Sequence, residues 1–273
     1  MNTAKGQFRP SRSKGQCFLT DRHVIERIVT SINPNEGETL VEIGPGTGAL
    51  TIPILEQGAS ILAIESDTWL VRALQEYKTH SLKLIEADAS KLDYNSVLQS
   101  HNLNSIRVFG NLPYSVASPI LLRLLETGPR LSSMTLMFQS EVAERLVALP
   151  NTKNYSFLSV VTQRAAKTKI LFQVPPGAFR PKPRVLSTVV ELKIRNNETY
   201  SYKDETIFRH IVKSLMAQRR KTIFNNIRHL EHRSLSKNQL TAALERSSID
   251  LTRRAESMSV EEFTKVSRNY TRT

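Results

Sequence analysis

The stretch Val41-Glu42-Ile43-Gly44-Pro45-Gly46-Thr47-Gly48 joins an apolar run to a helical pattern through three closely spaced glycines. Glycine lets the backbone turn tightly and approach a ligand closely, so the stretch predicts a strand, a ligand-binding turn and a helix. Its G-x-G-x-G spacing differs from the G-x-G-x-x-G of dinucleotide-binding folds. Glu42 would also repel a pyrophosphate. Both features favour a cationic or neutral nucleoside ligand, and a plain strand–helix turn is the alternative.

Strand and helix patterns alternate around this turn. A helix is expected over residues 21–32, where apolar residues recur at helical spacing. Further along, the predicted strands are 39–43, 60–64, 82–85, 105–109 and 134–138, and the predicted helices are 47–57, 67–77, a weak one within 94–101, 119–126 and 141–149. This alternation predicts an α/β fold with a doubly wound, mainly parallel sheet.

The pattern changes in the last third of the chain. Strands are predicted at 169–174 and 185–194, on either side of a proline-rich loop, and residues 196–203 have the composition of a polar linker. Helices are predicted over 205–217, 219–229, 236–246 and 259–268. We therefore expect two domains, residues 1–196 with a basic N-terminal arm over 1–20, and a small helical domain over 204–273.

The net charge of +13 is unevenly distributed along the chain. Residues 1–163 carry 15 basic and 15 acidic side chains, whereas residues 164–273 carry 23 basic and 10 acidic ones. This division suggests chemistry in the first part and binding of a polyanion in the second, with a solvated basic surface as the alternative. The basic first twenty residues are interpreted as an RNA-facing arm, and a mitochondrial presequence is the less favoured interpretation.

The remaining composition limits the class of protein. The chain has 40% hydrophobic residues and lacks any apolar run of membrane-spanning length, so we expect a globular protein without a membrane partner. Cys17 is the only cysteine, which excludes an internal disulfide and a cysteine-rich zinc site. We expect a cytoplasmic monomer that holds no metal.

A second motif follows the predicted strand at 105–109. The strand ends in Asn111-Leu112-Pro113-Tyr114, where proline cannot continue a sheet ladder. Asn111 and the Leu112 carbonyl would lie at the carboxyl end of the strand and could accept hydrogen bonds from the amino group of a nucleobase. Tyr114 could stack on the face of the same base. A proline-terminated strand with an ordinary turn is the alternative.

Polar residues end the neighbouring strands as well. Glu65 and Asp88 follow the strands at 60–64 and 82–85, and Glu65 lies where a ribose-binding acid is expected. Ligands of open α/β sheets bind at the carboxyl ends of the strands. Together with the glycine turn and Asn111, these acids indicate S-adenosylmethionine bound beside the amino group of an adenine.

The chain resembles the RNA adenine dimethyltransferase family, and most closely its bacterial branch that acts on small-subunit ribosomal RNA. The resemblance covers nearly the whole chain. It is carried by the glycine turn, by Asn111–Tyr114 and by four further motifs, Gly15-Gln16-Cys17-Phe18-Leu19, Gln139-Ser140-Glu141-Val142-Ala143-Glu144-Arg145-Leu146, the loop from Pro175 to Ser187, and Gln218-Arg219-Arg220-Lys221-Thr222 with Arg254-Ala255-Glu256.

The resemblance implies a Rossmann-like class I S-adenosylmethionine-dependent methyltransferase domain followed by a small all-helical domain. It implies dimethylation of N6 on two adjacent adenosines in the 3′-terminal hairpin of 16S rRNA, within the 30S subunit, with a role in ribosome biogenesis. The catalytic set would be Asn111, Leu112, Pro113, Tyr114 and Phe179, with Phe179 in an exposed loop and stacked on the adenine opposite Tyr114. The cofactor would contact Cys17, Leu19, Gly44, Gly46, Glu65, Asp88 and Asn111, and RNA would contact Arg180, Lys182, Arg184, Arg219, Arg220 and Lys221.

Three residues depart from the family pattern. Cys17 replaces an asparagine, so only a backbone contact is expected there, while Lys14 replaces a phenylalanine and Leu186 an aspartate. One alternative is an erythromycin-resistance-type methyltransferase of 23S rRNA, whose members tend to carry Asn-Ile-Pro-Tyr. A second is a ribosome-assembly factor without catalysis, and a nicotinamide oxidoreductase is a weak third.

Overall fold

The computed structural model describes residues 17–77, 79–195, 202–230 and 235–271, without the side chains of Tyr202 and Lys203. The described chain forms two compact units. The first runs through Ala143 and includes Lys169–Lys193, and the second comprises Glu144–Thr168 and the chain from Ile194 onward. The second unit thus contains residues 144–168, which the predicted domain boundaries assigned to the first domain.

The described residues contain the following strands and α-helices, in chain order: β1 (Phe18–Leu19), α1 (Arg22–Ile32), β2 (Thr39–Ile43), α2 (Thr51–Glu56), β3 (Ser60–Glu65), α3 (Thr68–Gln75), β4 (Leu82–Glu86), α4 (Tyr94–Ser100), β5 (Ile106–Asn111), α5 (Ala117–Leu125), β6 (Leu131–Gln139), α6 (Ser140–Val147), α7 (Phe157–Ala165), β7 (Ala166–Val174), β8 (Phe179–Arg180), β9 (Ser187–Ile194), α8 (Tyr202–Leu215), α9 (Ile223–Arg228), α10 (Lys237–Arg246) and α11 (Val260–Thr271).

The first unit is built on a seven-stranded sheet with the strand order β4-β3-β2-β5-β6-β9-β7. β2 to β6 pair in parallel, and β9 is antiparallel to β6. The prediction of a doubly wound, mainly parallel sheet is therefore confirmed. The chain passes outward from β2 through β3 to β4 and then returns to β5 on the other side of β2. The carboxyl ends of β2 and β5 thus flank a topological switch point, where ligands of such sheets bind.

Gly110 brings β5 unusually close to β2. A Cβ atom on Gly110 would lie 2.4 Å from the carbonyl oxygen of Ile43, a distance that side chains do not tolerate. Gly44, the residue after Ile43, is also close to β5. A Cβ on Gly44 would lie 3.7 Å from the Asn111 carbonyl oxygen and 3.8 Å from Cδ of Pro113. The turn after β2 and the segment after β5 are therefore in van der Waals range of each other.

Helix α1 and a small second sheet cover part of the first unit. The Asp21 carboxylate accepts a hydrogen bond from the backbone N–H of Val24 at 3.1 Å and so caps the start of α1. Ile28 and Val29 are buried in the core. β1 pairs with β8 in an antiparallel two-stranded sheet, in which Leu19 lies opposite Phe179. These two short strands carry no periodic pattern and were not predicted.

The second unit is helical. α11 packs against α7, α8 and α10. Phe208 and Phe263 are fully buried in its core, and the hydroxyl of the buried Tyr155 donates to the Met258 carbonyl at 2.9 Å. Buried Arg164 pairs with Glu205 at 3.4 Å and lies 3.6 Å over the ring of Phe208. The C-terminal helices were predicted, whereas α7 was not.

Local backbone chemistry explains where element boundaries differ from those predicted. The helix expected from residue 47 begins at Thr51, because Gly48 has φ +85° and cannot be helical. The helix expected from residue 219 begins at Ile223, because the side chain of Thr222 caps it by accepting from Asn225 N–H at 3.3 Å. Residues 202 and 203 of the expected linker are helical, and its remainder lies outside the described residues, as do residues 1–16 of the basic arm.

The close approach at Gly110 predicts a large loss of stability for Gly110→Ala. The added methyl group meets the backbone of Ile43 and cannot be accommodated by a side-chain rotation, so the free energy of unfolding should fall by about 3 kcal/mol. Urea denaturation measures this change. Gly177→Ala is the matched control, because a Cβ there has nothing within 4 Å, and should change stability by less than about 0.5 kcal/mol. Equal stability of both variants would contradict the close approach.

Candidate functional site

A cavity of about 390 Å³ opens at the carboxyl ends of β2, β3 and β5. Its volume is within the usual range for a small-molecule site. The glycine turn forms one side and the segment after β5 forms another. The lining residues are Cys17, Phe18, Leu19, Glu42, Gly44, Pro45, Gly46, Thr47, Ala49, Leu50, Glu65, Ser66, Leu70, Asp88, Asn111, Leu112, Pro113, Tyr114, Ser115 and Val116.

The glycine turn has the left-handed backbone that its sequence predicts. Gly44 and Gly46 have φ values of +68° and +57°, which side chains rarely adopt. A Cβ on Gly46 would lie 3.0 Å from the ring of Phe18, so the aromatic side chain packs directly on the turn. Phe18 thereby closes the cavity next to the turn.

Glu65 is held by backbone donors at the end of β3. Its Oε1 accepts from the N–H groups of Ser66 at 2.8 Å and Asp67 at 2.9 Å, and its Oε2 accepts from Gly46 N–H at 3.3 Å. This carboxylate therefore joins the end of β3 to the glycine turn. It is nearly buried and lines the cavity, as a ribose-binding acid would.

Glu42 is a fully buried carboxyl group in the wall of the cavity, with an exposed fraction of 1%. Burial raises the pKa of Glu42 to about 8; the hydrogen bond from Thr51 opposes this rise, and the charge of Glu65 adds to it. The Thr51 hydroxyl donates to Glu42 Oε2 at 2.7 Å. With Glu42 protonated at neutral pH, the Glu65 carboxylate is the negative group in this part of the wall that suits a cationic ligand.

The side-chain amide of Asn111 has a fixed orientation. Its Nδ2 donates to the backbone carbonyl of Cys17 at 3.1 Å. Because the amide nitrogen is bonded there, Oδ1 is the end that can accept a hydrogen bond from a ligand. The backbone carbonyl of Cys17 is thus bonded to Asn111, and the backbone contact expected from Cys17 to the cofactor stays a prediction. Burial raises the pKa of the Cys17 thiol.

Tyr114 is held by a residue that lies far away in the sequence of the first unit. Its hydroxyl and the hydroxyl of Ser187, the first residue of β9, lie 2.6 Å apart. Burial raises the pKa of the Tyr114 phenol, so the ring stays neutral. The bond to Ser187 restricts rotation of the ring, which lines the cavity next to Leu112 and Pro113.

Asp88 lies at the exposed edge of the cavity. Its Oδ1 accepts from the Ser90 hydroxyl at 2.6 Å and the Ser90 N–H at 2.9 Å, and Lys91 lies 3.3 Å from its Oδ2. These hydrogen bonds from Ser90, followed by the contact with Lys91, lower the pKa of Asp88. The group is therefore a charged acceptor at neutral pH.

Phe179 does not occupy the exposed position expected of it. Its side chain is fully buried in the core with Leu19, Ala178 and Val189, and it is not part of the cavity wall. The expectation of an exposed loop is wrong because β8 pairs with β1 and turns the ring inward. All other residues expected to contact the cofactor or carry the chemistry line the cavity.

The cations expected to bind RNA occupy different environments. Lys182 and Arg184 are exposed, and Arg180 donates to the carbonyl groups of Phe179 at 3.0 Å and Gly177 at 3.2 Å. In the second unit, Arg220 and Lys221 are exposed. Arg219 differs from them.

Arg219 makes contacts within the second unit. It pairs with Glu256 at 3.0 Å and donates to the carbonyl groups of Lys153 at 2.9 Å and Thr152 at 3.3 Å. These bonds join the segments around residues 152, 219 and 256, and they engage both terminal nitrogens of the guanidinium. Arg219 therefore has a structural role here that its place in a basic run did not suggest.

Four residues that shape or orient the site were not among those expected to contact the cofactor or to carry the chemistry: Phe18, Glu42, Thr51 and Ser187. Phe18 and Glu42 lie inside motifs quoted in the sequence analysis, so their position beside predicted site residues could have identified them. Thr51 bonds Glu42, which lies 9 residues away in the sequence, and Ser187 bonds Tyr114, which lies 73 residues away. Only the folded chain brings these pairs together. Among the described residues, no cluster of His, Cys, Asp or Glu is suited to a metal ion, and no helix has the length and apolarity needed to cross a membrane.

The chain matches the family model for ribosomal RNA adenine dimethylase over residues 7–272. This chain belongs to that family. It is 39% identical over 265 residues to the ribosomal RNA small subunit methyltransferase A of Clostridium botulinum (strain Kyoto / Type A2), covering 96% of this chain and 94% of the relative. It is 38% identical to the protein of the same name from Alkaliphilus oremlandii, and the match covers 95% of this chain and 91% of that relative. The family resemblance predicted from the motifs is confirmed.

Solved structures share the fold. A dimethyladenosine transferase from Plasmodium falciparum superimposes with a TM-score of 0.73 at 22% identity, covering 91% of this chain and 95% of the other. The 23S rRNA methyltransferase ErmE superimposes with a TM-score of 0.64 at 21% identity, and the match covers 93% of this chain and 99% of the ErmE chain. These likenesses confirm the predicted fold class, a Rossmann-like domain with a helical C-terminal part.

The raised pKa of Glu42 predicts how stability depends on pH. Between about pH 4.5 and 8 the unfolded chain releases the Glu42 proton while the folded protein keeps it, so stability falls as pH rises through this window. Glu42→Gln should gain about 4 kcal/mol over the wild type between pH 5 and 8. Urea denaturation at each pH measures the difference. Glu56→Gln, at an exposed position, is the control, and its stability should change with pH as that of the wild type does. If the stability of Glu42→Gln also changed with pH as that of the wild type does, the raised pKa of Glu42 would be contradicted.

Proposed function

We propose that this chain transfers methyl groups from S-adenosylmethionine to N6 of two adjacent adenosines in the 3′-terminal hairpin of 16S rRNA, within the 30S subunit. The single observation that supports this most strongly is the contact between the glycine turn and Asn111–Pro113 in the wall of one cavity. A nucleoside cofactor on the turn would then face a base held by Asn111. The family and the name of its small-subunit relatives supply the rRNA substrate.

The residues present fit the cofactor. The glycine turn allows close approach of a nucleoside, Glu65 would accept from a ribose, and the Glu65 carboxylate suits a ligand with a positive sulfonium and ammonium. S-adenosylmethionine, when bound, supplies an activated methyl group on sulfur. We place it against Cys17, Leu19, Gly44, Gly46, Glu65, Asp88 and Asn111.

Asn111 at the end of β5 and the three residues after it would act on the adenine. Asn111 Oδ1 and the Leu112 carbonyl accept hydrogen bonds from its amino group, which concentrates the nitrogen lone pair and directs it toward the cofactor. Pro113 keeps Leu112 extended. Tyr114 stacks on the base, which must leave its helix to reach the cavity. Positioning and fixed dipoles then supply most of the rate, and the amino proton leaves to solvent after transfer.

Phosphate contacts complete the proposal. Arg180, Lys182 and Arg184 follow the buried Phe179, and Arg220 and Lys221 lie in the second unit. Each set would bind the RNA backbone and fix its position without reading sequence. Because Phe179 is buried, we assign the stacking on adenine to Tyr114 alone.

The direct test is incubation of unmethylated small ribosomal subunits with radiolabelled S-adenosylmethionine, followed by mapping of the label on the RNA. Label on two adjacent adenosines of the 3′-terminal hairpin is expected. Label on 23S rRNA instead would favour the erythromycin-resistance-type activity. Binding of subunits without any label would favour an assembly factor and contradict the proposal.

Asn111→Ala should lower kcat by at least about 100-fold, because it removes the acceptor aimed at the amino group. Circular dichroism and calorimetric titration with S-adenosylmethionine check that the fold persists and separate cofactor binding from transfer. Asn95→Ala, at an exposed position, is the control and should retain full activity. Full turnover by Asn111→Ala would remove this residue from the mechanism.

Tyr114→Phe and Ser187→Ala should each lower kcat by about fivefold, since each removes the same 2.6 Å hydrogen bond and leaves the ring in place. The double variant should lose no more than either single variant, because the two changes act through one contact. Tyr114→Ala should lose about 100-fold, as stacking is lost as well. Losses that multiply in the double variant would show that the hydroxyl groups act independently.

A further inference from the structure

Phe224 is an exposed aromatic residue surrounded by cations in the second unit. It lies in α9 with 57% of its side chain exposed, although Ile223 and Ile227 on the same helix are buried. Arg228 is also exposed, four residues further on, and therefore lies on the same helix face. More than half of Phe224 is open to solvent, so its ring is available to contact a partner.

Neighbouring segments bring further positive charge to this face. Arg220 and Lys221 are exposed and immediately precede the helix cap. Exposed Arg254 lies on the adjoining segment, where Thr222 and Arg254 form an antiparallel bridge. Of the acidic side chains close by, Glu256 is paired with Arg219, and Asp250 stays charged with hydrogen bonds from Thr252, so the four exposed cations outnumber it. The surface is therefore basic around an apolar ring.

The backbone around Phe224 is held in place. The N–H of Ile223 donates to the Arg253 carbonyl at 2.8 Å, and that of Phe224 donates to the Leu251 carbonyl at 3.0 Å. The buried side chain of Asn226 accepts from Gln218 N–H at 3.1 Å and donates to the Gln218 carbonyl at 3.3 Å. These bonds hold the basic segment before the helix in a fixed position beside Phe224, so both are ordered before any partner binds.

We propose that Phe224 stacks on an unpaired nucleobase of the ribosomal RNA while Arg220, Lys221, Arg228 and Arg254 bind the flanking phosphates. The combination of an aromatic ring with surrounding cations is how proteins hold single-stranded nucleic acid. This inference rests on the proposed function, because that function supplies the RNA. It adds a base-stacking contact that is separate from the cavity in the first unit.

The test compares binding of Phe224→Ala, Phe224→Tyr and wild-type protein to unmethylated small ribosomal subunits. Phe224→Ala should raise Kd and KM about tenfold and leave kcat unchanged, and Phe224→Tyr should bind within twofold of the wild type. Tyr77→Ala removes an equally exposed aromatic side chain (52%) from the first unit and should have no effect. Unchanged binding by Phe224→Ala would overturn the proposal.

Salt dependence separates stacking from charge. The slope of log Kd against log salt concentration should be the same for Phe224→Ala and the wild type, and should fall by about one for Arg228→Gln, which loses a phosphate contact. A reduced slope for Phe224→Ala would contradict a stacking role.

Cross-linking identifies the partner. Phe224→benzoylphenylalanine, irradiated on small subunits, should link to a nucleotide of the rRNA. A link to a ribosomal protein would overturn the proposal in favour of a protein-docking residue. Kd, its salt dependence and the cross-link do not use methyl transfer, so they remain separate from failure of the proposed function, which would appear as wild-type protein that labels no adenosine.

Discussion

The contact between Gly110 of β5 and Ile43 of β2 is the constraint on which the site depends. Only hydrogen fits at that α-carbon, and the resulting approach places Asn111 and Pro113 against the Gly44 turn. The two strands are adjacent in the sheet but lie more than sixty residues apart in the chain. The cavity is therefore a product of the strand order, because it forms where the chain crosses from one half of the sheet to the other.

Each functional group in the cavity is oriented by a partner from another element. Cys17 fixes the Asn111 amide, Ser187 fixes the Tyr114 ring, and Gly46 holds the Glu65 carboxylate. Such bonds reduce the reorganisation needed when a ligand enters, which is the main source of rate in a reaction that depends on positioning. Glu42 is likewise held by Thr51 of α2, but its carboxyl group is buried at a cost to stability.

Local pattern was sufficient to predict most of the sheet, and together with the family resemblance it predicted half of the residues that line the cavity. The bounds of β2 matched those expected, because alternating apolar runs and glycine turns depend on near neighbours. The burial of Phe179 could not be predicted, because β1 and β8 are two residues long and exist only through pairing across the fold. The roles of Thr51 and Ser187 were missed for the same reason. The start of α9 was misplaced because the side chain of Thr222 caps the helix there, and Asn226 holds the preceding turn through two bonds to Gln218.

The bond between the Asn111 amide and the Cys17 carbonyl makes the N-terminal end of the first unit part of the chemistry. A protease that cut the chain between Leu19 and Asp21 would release the peptide that bears this carbonyl. The amide could then rotate and present its NH₂ group where the oxygen had been. Limited digestion would thus remove the orienting carbonyl together with the part of the cavity wall that Phe18 and Leu19 supply, and the incoming nitrogen would meet a donor instead of an acceptor.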